Sequence, residues 1–181
     1  MNNKVTKIRF KYPEGDKPNI CVPEKNNYHR FLLGRIGLKP LVAVCMNPSA
    51  ANEKYSDKTI NRIISISKKL DCDGWIIANV YPERATHASK LDEYNIELAE
   101  ENVKRVIEFL LEKGISEVFG AWGDLKYTSL KKGKKLLLSG LKQHNIRVYT
   151  FALNKSGEPV HPLNSRVKQE FLEENKHYLV L

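Results

Sequence analysis

Six apolar residues in a row, Leu41-Val42-Ala43-Val44-Cys45-Met46, are followed at once by Asn47-Pro48-Ser49. A short continuous apolar run that ends in turn residues is typical of a strand buried on both faces of a sheet. Comparable runs occur at residues 75–80, 117–121 and 146–151. The chain is therefore predicted to contain four buried strands.

Segments with helical periodicity separate these runs. Ser56 or Asp57 can cap a first helix. Further helices are predicted at residues 99–111, ending at Gly114, at residues 124–143, where Gly133 weakens the middle, and at residues 165–175. Strands that alternate with helices through right-handed crossovers predict the α/β class. We expect a three-layer α/β/α sandwich around a mainly parallel four-stranded sheet.

The first 38 residues differ in character from the rest. Residues 4–11 alternate polar and apolar side chains, residues 12–15 are typical of a turn, and residues 28–36 resemble a further strand. We predict that residues 1–38 form an antiparallel β extension of the sheet. No linker, repeat or low-complexity tract interrupts the sequence, so residues 1–181 are predicted to form one domain, with the α/β core at residues 39–181.

The composition is globular with an excess of positive charge. Lys and Arg number 30 against 21 Asp and Glu, which favours a nucleic acid or a phosphorylated small molecule as partner. A lysine-rich solvated surface is the alternative. No apolar run has the length of a membrane span or a secretory signal, so a cytoplasmic location away from membranes is expected. Cys21, Cys45 and Cys72 lack CxxC spacing, which predicts neither disulfides nor a zinc site.

The predicted sheet indicates where a ligand would bind. In open α/β sheets, ligands lie beyond the carboxyl ends of the strands. Four loops directly follow the predicted strands: Asn47-Pro48-Ser49 with the later Asp57 and Thr59, Asn79 to Thr86, Trp122-Gly123, and His161-Pro162. We expect their side chains to meet around one cavity.

The residue types in these loops fit ligand binding, and each also has a structural explanation. The amide of Asn79 needs a hydrogen-bond partner, which a base edge or the backbone can provide. The fork of Arg84 suits phosphate but also an exposed surface. Trp122 can stack on a base or fill the core, and His161 can stabilise negative charge or serve packing. Asn47-Pro48-Ser49 can clamp a ligand or form a simple turn.

Several kinds of chemistry lack support in the sequence. The five histidines show no metal-ligand spacing, Ser49 does not lie in a GxSxG elbow, and no GxxxxGK[ST] phosphate loop occurs. We therefore predict no metal, no cofactor, no serine-hydrolase triad and no nucleoside triphosphatase activity.

Five motifs occur in a fixed order along the chain. They are an Arg-containing strand (Arg30, Arg35), MNPS followed by Asp57 and Thr59, Asn79 with Arg84-Ala85-Thr86, Ala121-Trp122-Gly123, and Gly157 through His161-Pro162-Leu163. In this order they resemble a bacterial and phage family named domain of unknown function 1643, from about Tyr28 to Leu163. This resemblance implies no reaction by itself.

A more distant similarity implies a mechanism. The order Asn-Pro, Asn, Trp-Gly and His-Pro after successive strands is similar to the uracil-DNA glycosylase superfamily, which has a parallel α/β/α fold. The resemblance implies that Asn47 positions the attacking water, Asn79 reads an extruded base, and His161 stabilises the departing base anion. The loop containing Asn47 lacks the aspartate of the most active members of that superfamily.

Three functions remain open at this stage. The first is recognition of a base in a nucleic acid or nucleotide, with hydrolysis of its N-glycosidic bond. The second is a non-catalytic nucleic-acid or nucleotide binding module, and the third is an enzyme on a small phosphorylated metabolite. Catalysis is assigned to Asn47 and His161, and substrate binding to Pro48, Ser49, Asn79, Arg84, Thr86, Trp122 and Gly123, with Asp57, Thr59 and Arg30 as further candidates.

Overall fold

The computed structural model describes residues 4–6 and 10–181. The strand predicted at residues 4–11 lies partly outside this range; within it, Phe10 forms an antiparallel bridge with Ser56. The described residues form strands β1 (Ile20–Val22), β2 (Leu32–Arg35), β3 (Pro40–Cys45), β4 (Gly74–Asn79), β5 (Glu117–Gly120), β6 (Arg147–Thr150) and β7 (His177–Tyr178), and helices α1 (Lys58–Lys69), α2 (Ile96–Glu112) and α3 (Thr128–Gln143).

All of these strands belong to one mixed sheet, in the order β1-β2-β4-β3-β5-β6-β7. Its centre, β4-β3-β5-β6, is parallel and consists of the strands that the apolar runs predicted. Antiparallel pairs join β1 to β2, β2 to β4, and β6 to β7. The prediction of a four-stranded sheet is therefore corrected to seven strands. The additional β1 and β7 have only 3 and 2 residues, too few to produce a periodic pattern.

Helices cover both faces of the sheet, because alternate residues of each central strand point to opposite sides. On one face, Ala43 and Ile77 pack with the buried isoleucines of α1. On the other face, Val42 and Ile76 pack with the apolar side chains of α2 and α3. This arrangement agrees with three layers and leaves the carboxyl ends of β3 and β4 next to the start of α1.

The helix starts depend on local hydrogen bonds and turns. Asp57 caps α1, since its Oδ1 accepts a hydrogen bond from the N–H of Ile60 at 2.9 Å. The predicted start of the third helix at Asp124 is wrong, because α3 begins at Thr128. Gly123 turns the chain with a φ of +70°, and Leu125 then packs its side chain into the core before the helix begins.

The helix predicted at residues 165–175 is also wrong. The chain there is irregular except for one 3-10 turn at Glu173–Asn175. Phe171 packs edge-on against Phe151, with ring centroids 5.2 Å apart, and Lys176 pairs with Glu117 at 2.6 Å. These contacts hold the chain against the sheet edge, where β7 forms. A short segment has little helical stability of its own, so such tertiary contacts decide its conformation.

The three cysteines are free thiols, and burial raises the pKa of Cys45 to about 12. Within the described part of the chain, no helix combines the length and apolar character that crossing a bilayer requires.

Candidate functional site

A cavity of about 240 Å³ lies where β3 ends. Its walls come from the loop after β3, the start of α1, the loop after β4, the His161 loop and the N-terminal segment. Among the predicted site residues, those that line it are Asn47, Ser49, Asp57, Thr59, Thr86 and His161. Those that do not are Arg30, Pro48, Asn79, Arg84, Trp122 and Gly123. Three of the four predicted loops therefore meet at one cavity, whereas Trp122 and Gly123 of the fourth do not line it.

Backbone carbonyl groups fix the side chain of Asn47. Its Nδ2 donates to the carbonyl oxygens of Ala85 at 2.9 Å and Pro48 at 3.1 Å. The N–H of Ala85 donates in turn to the carbonyl oxygen of Pro48 at 2.9 Å, which joins the first two loops. Because Nδ2 is used in this way, Oδ1 of Asn47 is the group left to accept a hydrogen bond from a ligand or a water molecule.

Two hydroxyl groups lie side by side in the cavity. Ser49 Oγ and Thr86 Oγ1 are 3.4 Å apart. Thr86 Oγ1 also accepts from the N–H of Thr6 at 2.8 Å, and the N–H of Thr86 donates to the carbonyl oxygen of Lys4 at 3.0 Å. The N-terminal segment is thereby attached to the second loop beside the cavity.

Asp57 brings a carboxylate into the cavity. One carboxylate oxygen caps α1, and among the described residues no donor reaches the other, Oδ2. The negative charge of Asp57 also acts on His161, whose pKa is lowered by burial and raised in part by Asp57. The start of α1 therefore supplies the acidic group that the loop of Asn47 lacks.

The ring of His161 has a defined orientation. Its Nδ1 accepts a hydrogen bond from the N–H of Leu163 at 3.2 Å, so the neutral ring carries its proton on Nε2. Because burial lowers the pKa of His161 below its ordinary 6.5, the ring is neutral at neutral pH. It is therefore a neutral Nε2–H donor at the edge of the cavity.

Gly123 makes room for His161. A Cβ atom at Gly123 would lie 3.0 Å from the Cβ of His161, and the φ of +70° at this position disfavours any other residue. Gly123 therefore acts through His161 and has no contact with the cavity of its own.

Arg30 and Arg84 point into the protein. Both guanidinium groups donate to the carbonyl oxygen of Ala51, from Nη1 of Arg30 at 2.6 Å and from Nη2 of Arg84 at 2.7 Å. Burial lowers the pKa of both, that of Arg84 to about 10 with a further contribution from the charge of Arg30. The two arginines stabilise the loop between β3 and α1 through Ala51, and neither of them lines the cavity.

Asn79 and Trp122 are each only 1% exposed and do not reach the cavity. The backbone oxygen of Asn79 accepts from Nδ2 of Asn102 at 2.9 Å, while its side-chain Oδ1 has no partner among the described residues. Trp122 packs in the cluster under α3, and its Nε1 donates to Glu158 Oε2 at 2.7 Å. The position of Trp122 agrees with core packing.

A comparison with protein families identifies the chain. A family model described as "Protein of unknown function (DUF1643)" matches residues 30–163. The chain belongs to the DUF1643 family. No curated protein and no solved structure matches it.

The DUF1643 match contains all the described lining residues except one. Met46, Lys58 and Ala85, to which the sequence analysis assigned no role, adjoin residues with a predicted role. Phe10 lies outside the match, and no local pattern indicates its place at the cavity. The described part of this DUF1643 protein has no cluster of three His, Cys, Asp or Glu side chains suited to a metal ion.

Proposed function

We propose that this DUF1643 protein binds a base of a nucleotide or nucleic acid in the cavity and hydrolyses the N-glycosidic bond. The observation that carries the proposal is that Asn47, Asp57 and His161 line the same cavity. They supply an amide oxygen, a carboxylate and a neutral imidazole N–H. These are the groups that such a hydrolysis requires.

Each group has one step in the proposed reaction. Asn47 Oδ1 holds a water molecule, which gives a proton to the carboxylate of Asp57 as its oxygen bonds to the anomeric carbon. The bond from that carbon to the base nitrogen breaks, and its electron pair leaves with the base. The Nε2–H of His161 donates to the departing anion, which then takes up the proton from Asp57.

Size and charge favour a single nucleotide unit as the ligand. A cavity of about 240 Å³ is smaller than the roughly 300–1,000 Å³ of most drug-sized sites. Lys58 is the one Lys or Arg among the described lining residues, so these residues do not form a continuous basic track for a long phosphate backbone. A free nucleotide, or one nucleotide extruded from a strand, fits these properties.

The two other functions receive less support. The phosphorylated-metabolite function relies on Arg84 as an anion clamp, and that guanidinium instead binds Ala51. A non-catalytic module would be favoured if the cavity had no acidic group to accept a proton, but Asp57 lines the cavity and supplies a carboxylate.

Release of a free base tests the proposal. Wild type, Asn47→Ala, Asp57→Asn and His161→Gln are incubated with free nucleosides, nucleotides, and DNA containing uracil, hypoxanthine or a thymine mismatch, and free base is measured by chromatography. Asp57→Asn keeps a good helix cap while removing the proton acceptor, so about 100-fold or more of the rate should be lost with little change in stability. His161→Gln should lose about as much.

Asp124→Asn is the matched control, because Asp124 is an exposed aspartate at the same rim that does not line the cavity. Its rate should equal that of the wild type. If wild type releases no base from any of these substrates, hydrolysis is not the function.

A further inference from the structure

Phe10 is an aromatic residue whose position is not explained by packing among the described residues. It is partly buried and lines the cavity. Among the described residues, it belongs to neither apolar cluster, and no aromatic ring stacks on it. A partly buried aromatic ring that lines a cavity with polar walls is suited to contact a ligand.

The backbone of Phe10 is held in register with the start of α1. Its carbonyl oxygen accepts from the N–H of Ser56 at 2.9 Å, and the fully buried Ser56 donates through Oγ to the carbonyl oxygen of Lys11 at 2.9 Å. Asp57 follows Ser56 directly. Phe10 therefore lies beside the carboxylate of Asp57 because of backbone hydrogen bonds, whatever occupies the cavity.

We infer that Phe10 is the stacking residue for a planar base in the cavity. This inference rests on the proposed function and adds a specificity residue to it. The other apolar residues among the described lining, Met46 and Ala85, have no ring, and Trp122 is buried under α3. A base that stacks on Phe10 would present its polar edge to the amide, hydroxyl and imidazole groups opposite.

The consequence is that base selection depends on a segment outside the family match. Residues 30–163 provide the amide, carboxylate and imidazole groups, whereas the aromatic wall comes from residue 10. A ligand with an aromatic ring should depend on Phe10, and a sugar phosphate should not.

Equilibrium binding of small probes tests the inference. Uracil, adenine, deoxyuridine and ribose 5-phosphate are titrated into wild type, Phe10→Ala, Phe10→Leu and Phe10→Trp, with binding followed by calorimetry and by amide chemical shifts. Phe10→Ala and Phe10→Leu should weaken binding of the ring-containing probes by roughly 5- to 150-fold, which corresponds to loss of one base–aromatic stack. Phe10→Trp should retain binding, and any binding of ribose 5-phosphate should be the same in all variants.

Two controls separate stacking from folding. Phe10→Leu keeps an apolar side chain of similar size, so its thermal unfolding midpoint should stay close to that of the wild type. Tyr28→Ala removes an aromatic ring that is 64% exposed and does not line the cavity, and should leave binding unchanged.

The possible outcomes distinguish this inference from the proposed function. If wild type binds bases and Phe10→Ala or Phe10→Leu binds them as tightly, the stacking role is overturned while base recognition stands. Base binding that depends on Phe10 without any hydrolysis supports the stacking role and contradicts the enzymatic step. If no ring-containing probe binds the wild type, both are overturned.

Discussion

At His161 two opposing effects act on one imidazole. Burial lowers its pKa, the charge of Asp57 raises it in part, and the net shift is downward from the ordinary 6.5. The hydrogen bond from Leu163 to Nδ1 selects the neutral form with the proton on Nε2. The surroundings of His161 therefore keep its ring neutral and leave the proton on Nε2. A hydrogen-bond donor to a base anion requires this form of the ring.

The lowered pKa of His161 predicts a pH dependence of stability. The unfolded chain takes up a proton at a higher pH than the folded protein does, so the stabilisation from the neutral ring is present above about pH 6.5 and is lost as the pH falls through the lower, folded-state pKa. Urea unfolding at pH 7.5, 6.5 and 5.5 should show a fall in the free energy of unfolding, and His161→Gln should reduce the size of that fall.

His29 provides the comparison for this measurement. Burial lowers its pKa as well, and it does not line the cavity. His29→Gln should also flatten the pH dependence of stability, but without loss of base release. If the free energy of unfolding of His161→Gln changes with pH as it does in the wild type, the fold does not hold the ring of His161 neutral.

Among the elements, α3 shows how packing overrides helix propensity. The sequence predicts that Gly133 weakens this helix, yet the structure gives a reason for glycine there. A Cβ atom at Gly133 would lie 2.4 Å from the carbonyl oxygen of Val80, at the end of β4. The absence of a side chain lets α3 approach the start of the loop that contains Arg84 and Thr86.

Gly133→Ala should therefore destabilise the protein, although alanine is the better helix former by about 1 kcal/mol. We expect a net loss of about 1–3 kcal/mol in the free energy of unfolding, because backbone atoms must shift to accommodate the methyl group. Ser139→Ala, at an exposed position of the same helix, should change stability by no more than about 0.5 kcal/mol. If Gly133→Ala and wild type have equal free energies of unfolding in urea, α3 can shift away from Val80 at no cost in stability.

At the scale of the whole molecule, the net charge is +9, and Lys58 is the one basic residue among the described residues that line the cavity. Lys58 lines the cavity, whereas Lys132 and Lys134 of α3 lie on the opposite face of the sheet. There Lys134 pairs with Glu158, and Lys132 lies 5.1 Å from the ring centroid of Tyr94. The overall charge therefore attracts polyanions in general and does not by itself direct them to the cavity.

This distribution predicts a weak salt dependence for binding of a single-stranded oligonucleotide. One phosphate contact through Lys58 corresponds to a slope of about −0.7 in log affinity against log salt concentration. Filter binding across a salt series should give a slope near this value in the wild type and near zero in Lys58→Ala, while Lys135→Ala on α3 should match the wild type. A steep slope in all three proteins would place the main contacts on another surface.

Local patterns in the sequence determined the four central strands, the three helices and the sheet rim at which the candidate site lies. A strand that is buried on both faces has a continuous apolar run, and a helix with one buried face has apolar residues at helical spacing. Parallel strands bring their carboxyl ends to the same edge of the sheet. Contacts with distant residues determine the strand order. They also determine that residues 165–181 lie along the sheet edge and do not form an α-helix. Contacts with distant residues also decide three side-chain positions. They turn Arg84 inward to Ala51, bury Trp122 in the core and place Phe10 beside Asp57. Only the tertiary structure decided these, because the direction of a loop side chain is set by partners that no short window of sequence contains.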